Sequence, residues 1–108
     1  MRIAICDDET IWRQRIQQVV EQAAEKLQIS ADITCYGDGN KLLETEEAYD
    51  LLFLDIEMEE ISGIEIKRTL AERNADTEIV FITSHQERMR ETFGPRVIGF
   101  LDKPVDQT

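Results

Sequence analysis

The chain has 108 residues and a formal net charge of −11, with 42% hydrophobic and 32% charged residues. That balance excludes a disordered chain, and the length suits one domain with one core. A surface this negative repels phosphate backbones and anionic lipid, so direct nucleic-acid binding by this segment is not expected, and no apolar run is long enough to cross a bilayer.

The opening MRIAICDDE is a short apolar run that meets two acids. It is not a secretory signal, so a cytoplasmic location is expected. Ile3 to Cys6 predicts a buried strand. Thr10 to Gln28 predicts a helix, with Ile16, Val20, Ala23 and Leu27 at helical spacing and Thr10 as its cap. Asp32 to Tyr36 predicts a second strand, closed by the turn Gly37-Asp38-Gly39. Asn40 to Glu47 predicts a short helix. Leu51 to Leu54 predicts the third strand, and Ser62-Gly63 opens a third helix that fades at Asn74. Glu78 to Ile82 predicts the fourth strand. Gln86 to Phe93 predicts a weak helix that stops at Gly94-Pro95, since proline cannot continue it. Val97 to Leu101 predicts the fifth strand. Cys6 and Cys35 lie in apolar stretches without a second ligand at metal spacing, and both are expected to be reduced core residues.

Strands alternate with helices, and four of the five strands are continuous apolar runs. The expected fold is α/β: a flavodoxin-like, doubly wound, five-stranded parallel sheet of order 2-1-3-4-5. In such a sheet every strand's carboxyl end lies on one edge. The first strand ends on Asp7-Asp8, the third on Asp55, the fourth on Thr83-Ser84 and the fifth on Asp102-Lys103-Pro104. One such residue alone is more often a turn or helix cap than a ligand. All four strand ends together point to a site. Three carboxylates repel each other unless a cation sits between them, and oxygen-only ligands suit Mg²⁺ or Mn²⁺. A lysine and a threonine hydroxyl opposite can hold a phosphoryl group. These parts suit phosphoryl transfer onto an aspartate.

The segments ICDDE, LLFLDIEMEEISGIE, FITSH and GFLDKPV stand in that order on those elements. Together they resemble the receiver domains of two-component response regulators, over nearly the whole chain. The wording DIEM, FITSH and GFLDKPV is most similar to receivers fused to LytTR-type DNA-binding domains. The resemblance implies that Asp55 accepts a phosphoryl group from a sensor histidine kinase, with Thr83 and Lys103 binding that group. It implies that Asp8 ligates Mg²⁺ (or Mn²⁺) directly, that Asp7 holds it through water, and that Glu57 donates its main-chain carbonyl. Phe100 occupies the aromatic switch position, and Lys103-Pro104 matches a cis peptide. His85 and Glu57 stand where the attacking water passes, although His85 equally suits a cap of the fourth helix. The chain departs from the family where proline usually follows Asp-x-x-Met: Glu59 stands there, with Glu60 behind it, so a looser and more acidic loop is expected.

The resemblance implies a phosphoacceptor that promotes its own modification rather than an enzyme, and an output domain that regulates transcription. Three other readings compete. A haloacid-dehalogenase-like phosphatase also places Asp after a buried strand, but it wants Asp where Glu57 stands and leaves Asp7-Asp8 unexplained. A degenerate receiver that only binds proteins would not need Asp8, Asp55, Thr83 and Lys103. A flavodoxin needs a Ser/Thr/Gly-rich phosphate loop where CDDETIW stands. Val105 to Thr108 reads as the approach to a fifth helix, so a receiver over residues 1–108, cut before that helix and without its output domain, is expected. By period two, Val97, Gly99 and Leu101 would then be uncovered. Self-association as a homodimer, or a stability loss of about 3–6 kcal/mol, would follow.

Overall fold

The computed structural model describes residues 1–84 and 86–103. Strand β1 (Arg2–Cys6) leads into α1 (Thr10–Lys26), then β2 (Asp32–Tyr36) and the short α2 (Gly39–Glu44). Strand β3 (Leu51–Asp55), α3 (Gly63–Glu72) and β4 (Glu78–Thr83) follow. A 3-10 helix (Gln86–Thr92) connects to β5 (Val97–Asp102). The five strands form one parallel sheet of order β2-β1-β3-β4-β5. The expected α/β fold is the observed one.

Right-handed crossovers that run one way from β1 to β2 and the other way from β2 to β3 and on to β4 put α1 on one face and α2 and α3 on the other. Alternate strand residues serve the two faces. Ala4, Cys6, Leu52, Leu54, Ile79 and Phe81 pack with Leu42 of α2 and Ile64 and Ile66 of α3. Ile3, Ile5 and Ile82 pack with Ile16 and Val20 of α1. Each fully buried aliphatic side chain contributes about 1.5–3 kcal/mol, so this double layer fixes the register of the strand ends.

Several local expectations change. The cap of α1 is Glu9, without a side-chain cap bond. Thr10 is the first helical residue instead, and its Oγ1 accepts from Arg13 Nη2. Leu27 closes α1 and is exposed, because Gln28 turns left-handed (φ 58°) and ends the buried stripe at Val20. Cys6 is core, but Cys35 is exposed: β2 is an edge strand, and the Cys35 thiol donates to Gln17 on α1. The weak fourth helix is a 3-10 helix. At β5 the strict period fails. Val97 pairs with Ile79, but Gly99 pairs with Val80, so the register slips by one residue at Ile98. Val97 therefore joins the α3 face, while Leu101, beside Ile82, lies on the α1 face and is 43% exposed. Residues 104–108, including Pro104, lie outside the described residues, and so does His85.

Helix α3 starts hard against the end of β3. Ser62 caps it by accepting from the Glu65 N–H, and the Gly63 N–H donates to the Ile56 carbonyl at 2.9 Å. A Cβ at Gly63 would lie 2.3 Å from the Asp55 carbonyl oxygen. Gly63→Ala must push the helix away from the strand, and overpacking of this kind costs about 1–3 kcal/mol. Urea unfolding should show that loss, whereas Gly99→Ala, where a Cβ meets nothing within 4 Å, should cost less.

Candidate functional site

The strand order reverses between β1 and β3, and their carboxyl ends form a crevice there. Its lining includes Asp8, Glu9, Asp55, Glu57, Glu59 and Lys103, around about 470 Å³. Asp7 and Asp55 are buried, 0% and 4% exposed, because Asp7 directly follows the buried β1 and Asp55 is the last residue of β3. Carboxylate oxygens of Asp7, Asp8 and Asp55 come within 4.8 Å of one another. Asp7 Oδ1 accepts from the Glu9 N–H at 2.9 Å, which closes a tight turn into α1. Asp8 Oδ2 accepts from the Glu59 N–H at 3.2 Å. The Glu57 N–H donates to the Asp55 carboxylate.

Lys103 enters this cluster from the end of β5, positioned by its own N–H to the Thr83 carbonyl. Its ammonium lies 2.9 Å from Asp7 Oδ2, 3.6 Å from Asp55 Oδ1 and 4.0 Å from Glu9. It also stands 5.0 Å over the Trp12 ring. The Asp7 contact is ionic without hydrogen-bond alignment: Oδ2 is buried and has no hydrogen-bond partner. One ammonium faces three carboxylates. Burial, then the neighbouring Asp7, pushes the Asp55 carboxyl up to about 7, and Lys103 offsets part of that rise. A buried carboxylate oxygen without a hydrogen bond is costly, and a divalent cation among the three carboxylates removes the cost. The all-oxygen donor set fits Mg²⁺ or Mn²⁺.

Of the residues named from sequence, Asp7, Asp8, Asp55 and Lys103 converge. Thr83 is buried at the end of β4, opposite Asp102, and Ser84 rather than Thr83 lines the crevice. The Glu57 carboxylate turns away from the three aspartates to Arg88. Phe100, on β5, pairs with Phe81 of β4 and is 37% exposed. The loop after β3 is tied in spite of its missing proline. The Glu59 N–H that reaches Asp8 is a donor proline would not have, and Glu60 accepts from the Asn40 side chain. Trp12, Arg13 and Arg88 carried no sequence signal. Arg13 Nη1 donates to the Asp7 carbonyl at 2.7 Å and so stitches α1 to the strand end.

The model of the response regulator receiver domain family matches residues 3–108. This chain belongs to that family. The receiver is 30% identical over 105 residues to the positive alginate biosynthesis regulatory protein of Pseudomonas aeruginosa, covering 97% of this chain and 42% of that protein. It is 35% identical over 109 residues to a response regulatory protein of Shewanella oneidensis, covering 94% of this chain and 42% of that one. Sensory transduction protein LytT of Bacillus cereus is 25% identical over 108 residues, covering 99% and 43%, in line with the resemblance to LytTR-class receivers. The receiver thus spans less than half the length of these relatives. Among solved structures, the response regulatory domain of mrkE from Klebsiella pneumoniae superposes with a TM-score of 0.84 at 23% identity, covering 99% of this chain and 86% of that one. The family match decides against the phosphatase and flavodoxin readings. No helix among the described residues is long and apolar enough to cross a membrane.

Proposed function

We propose that this receiver accepts a phosphoryl group on Asp55 from a sensor histidine kinase and thereby switches an output domain, in the cytoplasm. The observation that carries this reading is the convergence of Asp7, Asp8 and Asp55 within 4.8 Å, with the Lys103 ammonium 3.6 Å from Asp55. Asp55 Oδ attacks the phosphorus, the bond from phosphorus to the donor breaks, and the leaving group keeps the electron pair and takes a proton. Asp8 would ligate Mg²⁺ (or Mn²⁺) with Asp55 and the Glu57 carbonyl, and Asp7 would hold it through water. The bound ion supplies charge neutralisation for the carboxylates and the phosphoryl oxygens. Lys103 holds Asp55 toward its ionised form and pairs the incoming phosphoryl group as a point charge. The Thr83 hydroxyl, at the neighbouring strand end, donates to it. Phe100 follows Thr83 inward, which alters the face around β5. The net charge of −11 leaves nucleic-acid contact to the output domain, whose activity is transcription regulation.

The test is incubation with a small acyl phosphate, with and without Mg²⁺, followed by mass mapping. Stoichiometric, Mg²⁺-dependent modification at Asp55 is expected. Catalytic release of phosphate from small esters, or modification elsewhere, would overturn the reading. Asp8→Asn removes one charged ligand and should raise the Mg²⁺ concentration for half-maximal modification at least tenfold, as loss of about 1.4 kcal/mol of binding does. An unchanged Mg²⁺ titration would remove Asp8 from the site.

A further inference from the structure

Glu57 follows Asp55 by two residues and lines the same crevice. Its carboxylate nevertheless stands outside the cluster of Asp7, Asp8 and Asp55. Oε1 accepts from Arg88 Nη1 at 2.6 Å. The same guanidinium presents Nε to Glu91 Oε2 at 2.7 Å. Arg88 and Glu91 are three residues apart on the 3-10 helix, where such side chains eclipse, so Glu91 props the guanidinium toward Glu57. The base of this arm is fixed from α3: Lys67 Nζ donates to the Glu91 carbonyl at 2.8 Å and the Phe93 carbonyl at 3.0 Å.

The crevice is crowded with negative charge. Asp8, Glu9, Asp55, Glu57 and Glu59 all line it, against Lys103. A phosphodonor is itself an anion, so each uncompensated carboxylate at the mouth opposes its approach. We propose that Arg88 is a positioning residue for this site: it holds the Glu57 carboxylate away from the three aspartates and cancels its charge, so that an anionic phosphodonor reaches Asp55 while the three aspartates remain the cation's ligands. This rests on the phosphoacceptor reading above. Arg88 is a surface residue, its side chain 28% exposed and that of Glu57 44%. Exposed ion pairs add little to stability, so the variants should fold as the native chain does.

Freeing one charge beside the site has opposite effects on a cation and an anion. In Arg88→Ala, titration calorimetry with Mg²⁺ alone should show about threefold tighter binding, and the initial rate with a small acyl phosphate should fall about threefold. Both differences should shrink as salt is raised. Arg88→Lys, which keeps the charge, should recover most of both. In a Glu57→Gln background, Arg88→Ala should change neither. Shifts in the same direction, or shifts that persist with Gln at position 57, would overturn the role of Arg88, and so would an unchanged Mg²⁺ affinity. A native chain that binds Mg²⁺ but takes no phosphoryl group overturns the phosphoacceptor reading, while the Mg²⁺ comparison still decides whether Arg88 screens Glu57. A native chain that binds no Mg²⁺ overturns both.

Discussion

Asp55→Asn is expected to take no phosphoryl group under conditions where the native chain takes one. The amide lacks the charge and the lone-pair basicity of the carboxylate, and among the described residues no other carboxylate takes its place at the end of β3. Asp7 is buried against the Lys103 ammonium, and the half-exposed Asp8 accepts from the Glu59 N–H. Intact mass after treatment with a small acyl phosphate and Mg²⁺ is the measurement. A variant that gains the same mass as the native chain would place the nucleophile elsewhere. The substitution should also stabilise the fold, because it removes one of three mutually repelling carboxylates while keeping the shape of the side chain.

That gain has a defined pH dependence. In the folded, metal-free chain Asp55 keeps its proton up to about 7, against 3.8 for a free carboxyl, because it is buried beside Asp7. Between those two values the folded chain binds more protons than the unfolded chain. Stability from this group therefore falls as pH rises from about 4 to about 7, and levels off above. A tenfold difference in proton affinity between the two states corresponds to about 1.4 kcal/mol, so an effect on the order of 1–4 kcal/mol is expected. The difference between the pH–stability curves of the native chain and Asp55→Asn isolates the group. Parallel curves from pH 5 to pH 8 would show that Asp55 does not titrate there. Mg²⁺ at about a hundred times its dissociation constant should return about 2.7 kcal/mol at pH 8, and clearly less at pH 5, where a proton must first leave. Equal Mg²⁺ stabilisation at both pH values would contradict the placement of the ion at Asp55.

Much of this site was legible because it sits where strands stop. A strand that ends on Asp7, on Asp55 or on Lys103 carries its charge to a place fixed by the sheet, and the apolar runs Ile3–Cys6, Leu51–Leu54 and Val97–Leu101 make those ends visible. What escaped depends on side chains that travel. Arg88 reaches from a 3-10 helix with no apolar period, and its partner Glu57 reads in the sequence as one more acid of a solvated loop. Trp12 lies one turn into α1, where an aromatic residue ordinarily means core. The face of Val97 was misread because a one-residue slip in pairing at Ile98 leaves no mark in the apolar run. Cys35 was misplaced because β2 has the residues of a strand but not the neighbours of a central one.

Trp12 is the sole tryptophan of the chain. Its indole lies beneath the Lys103 ammonium, which in turn leans on Asp7 and Asp55. A positive charge over the ring attracts its electrons, so ultraviolet emission from this one fluorophore depends on where that ammonium stands. Any event that draws Lys103 away, whether a cation taking its place beside Asp7 or a phosphoryl group pulling it toward Asp55, changes the colour and intensity of that light. The molecule thus carries its own optical gauge, five ångströms from the ammonium that faces Asp55, with no label to attach.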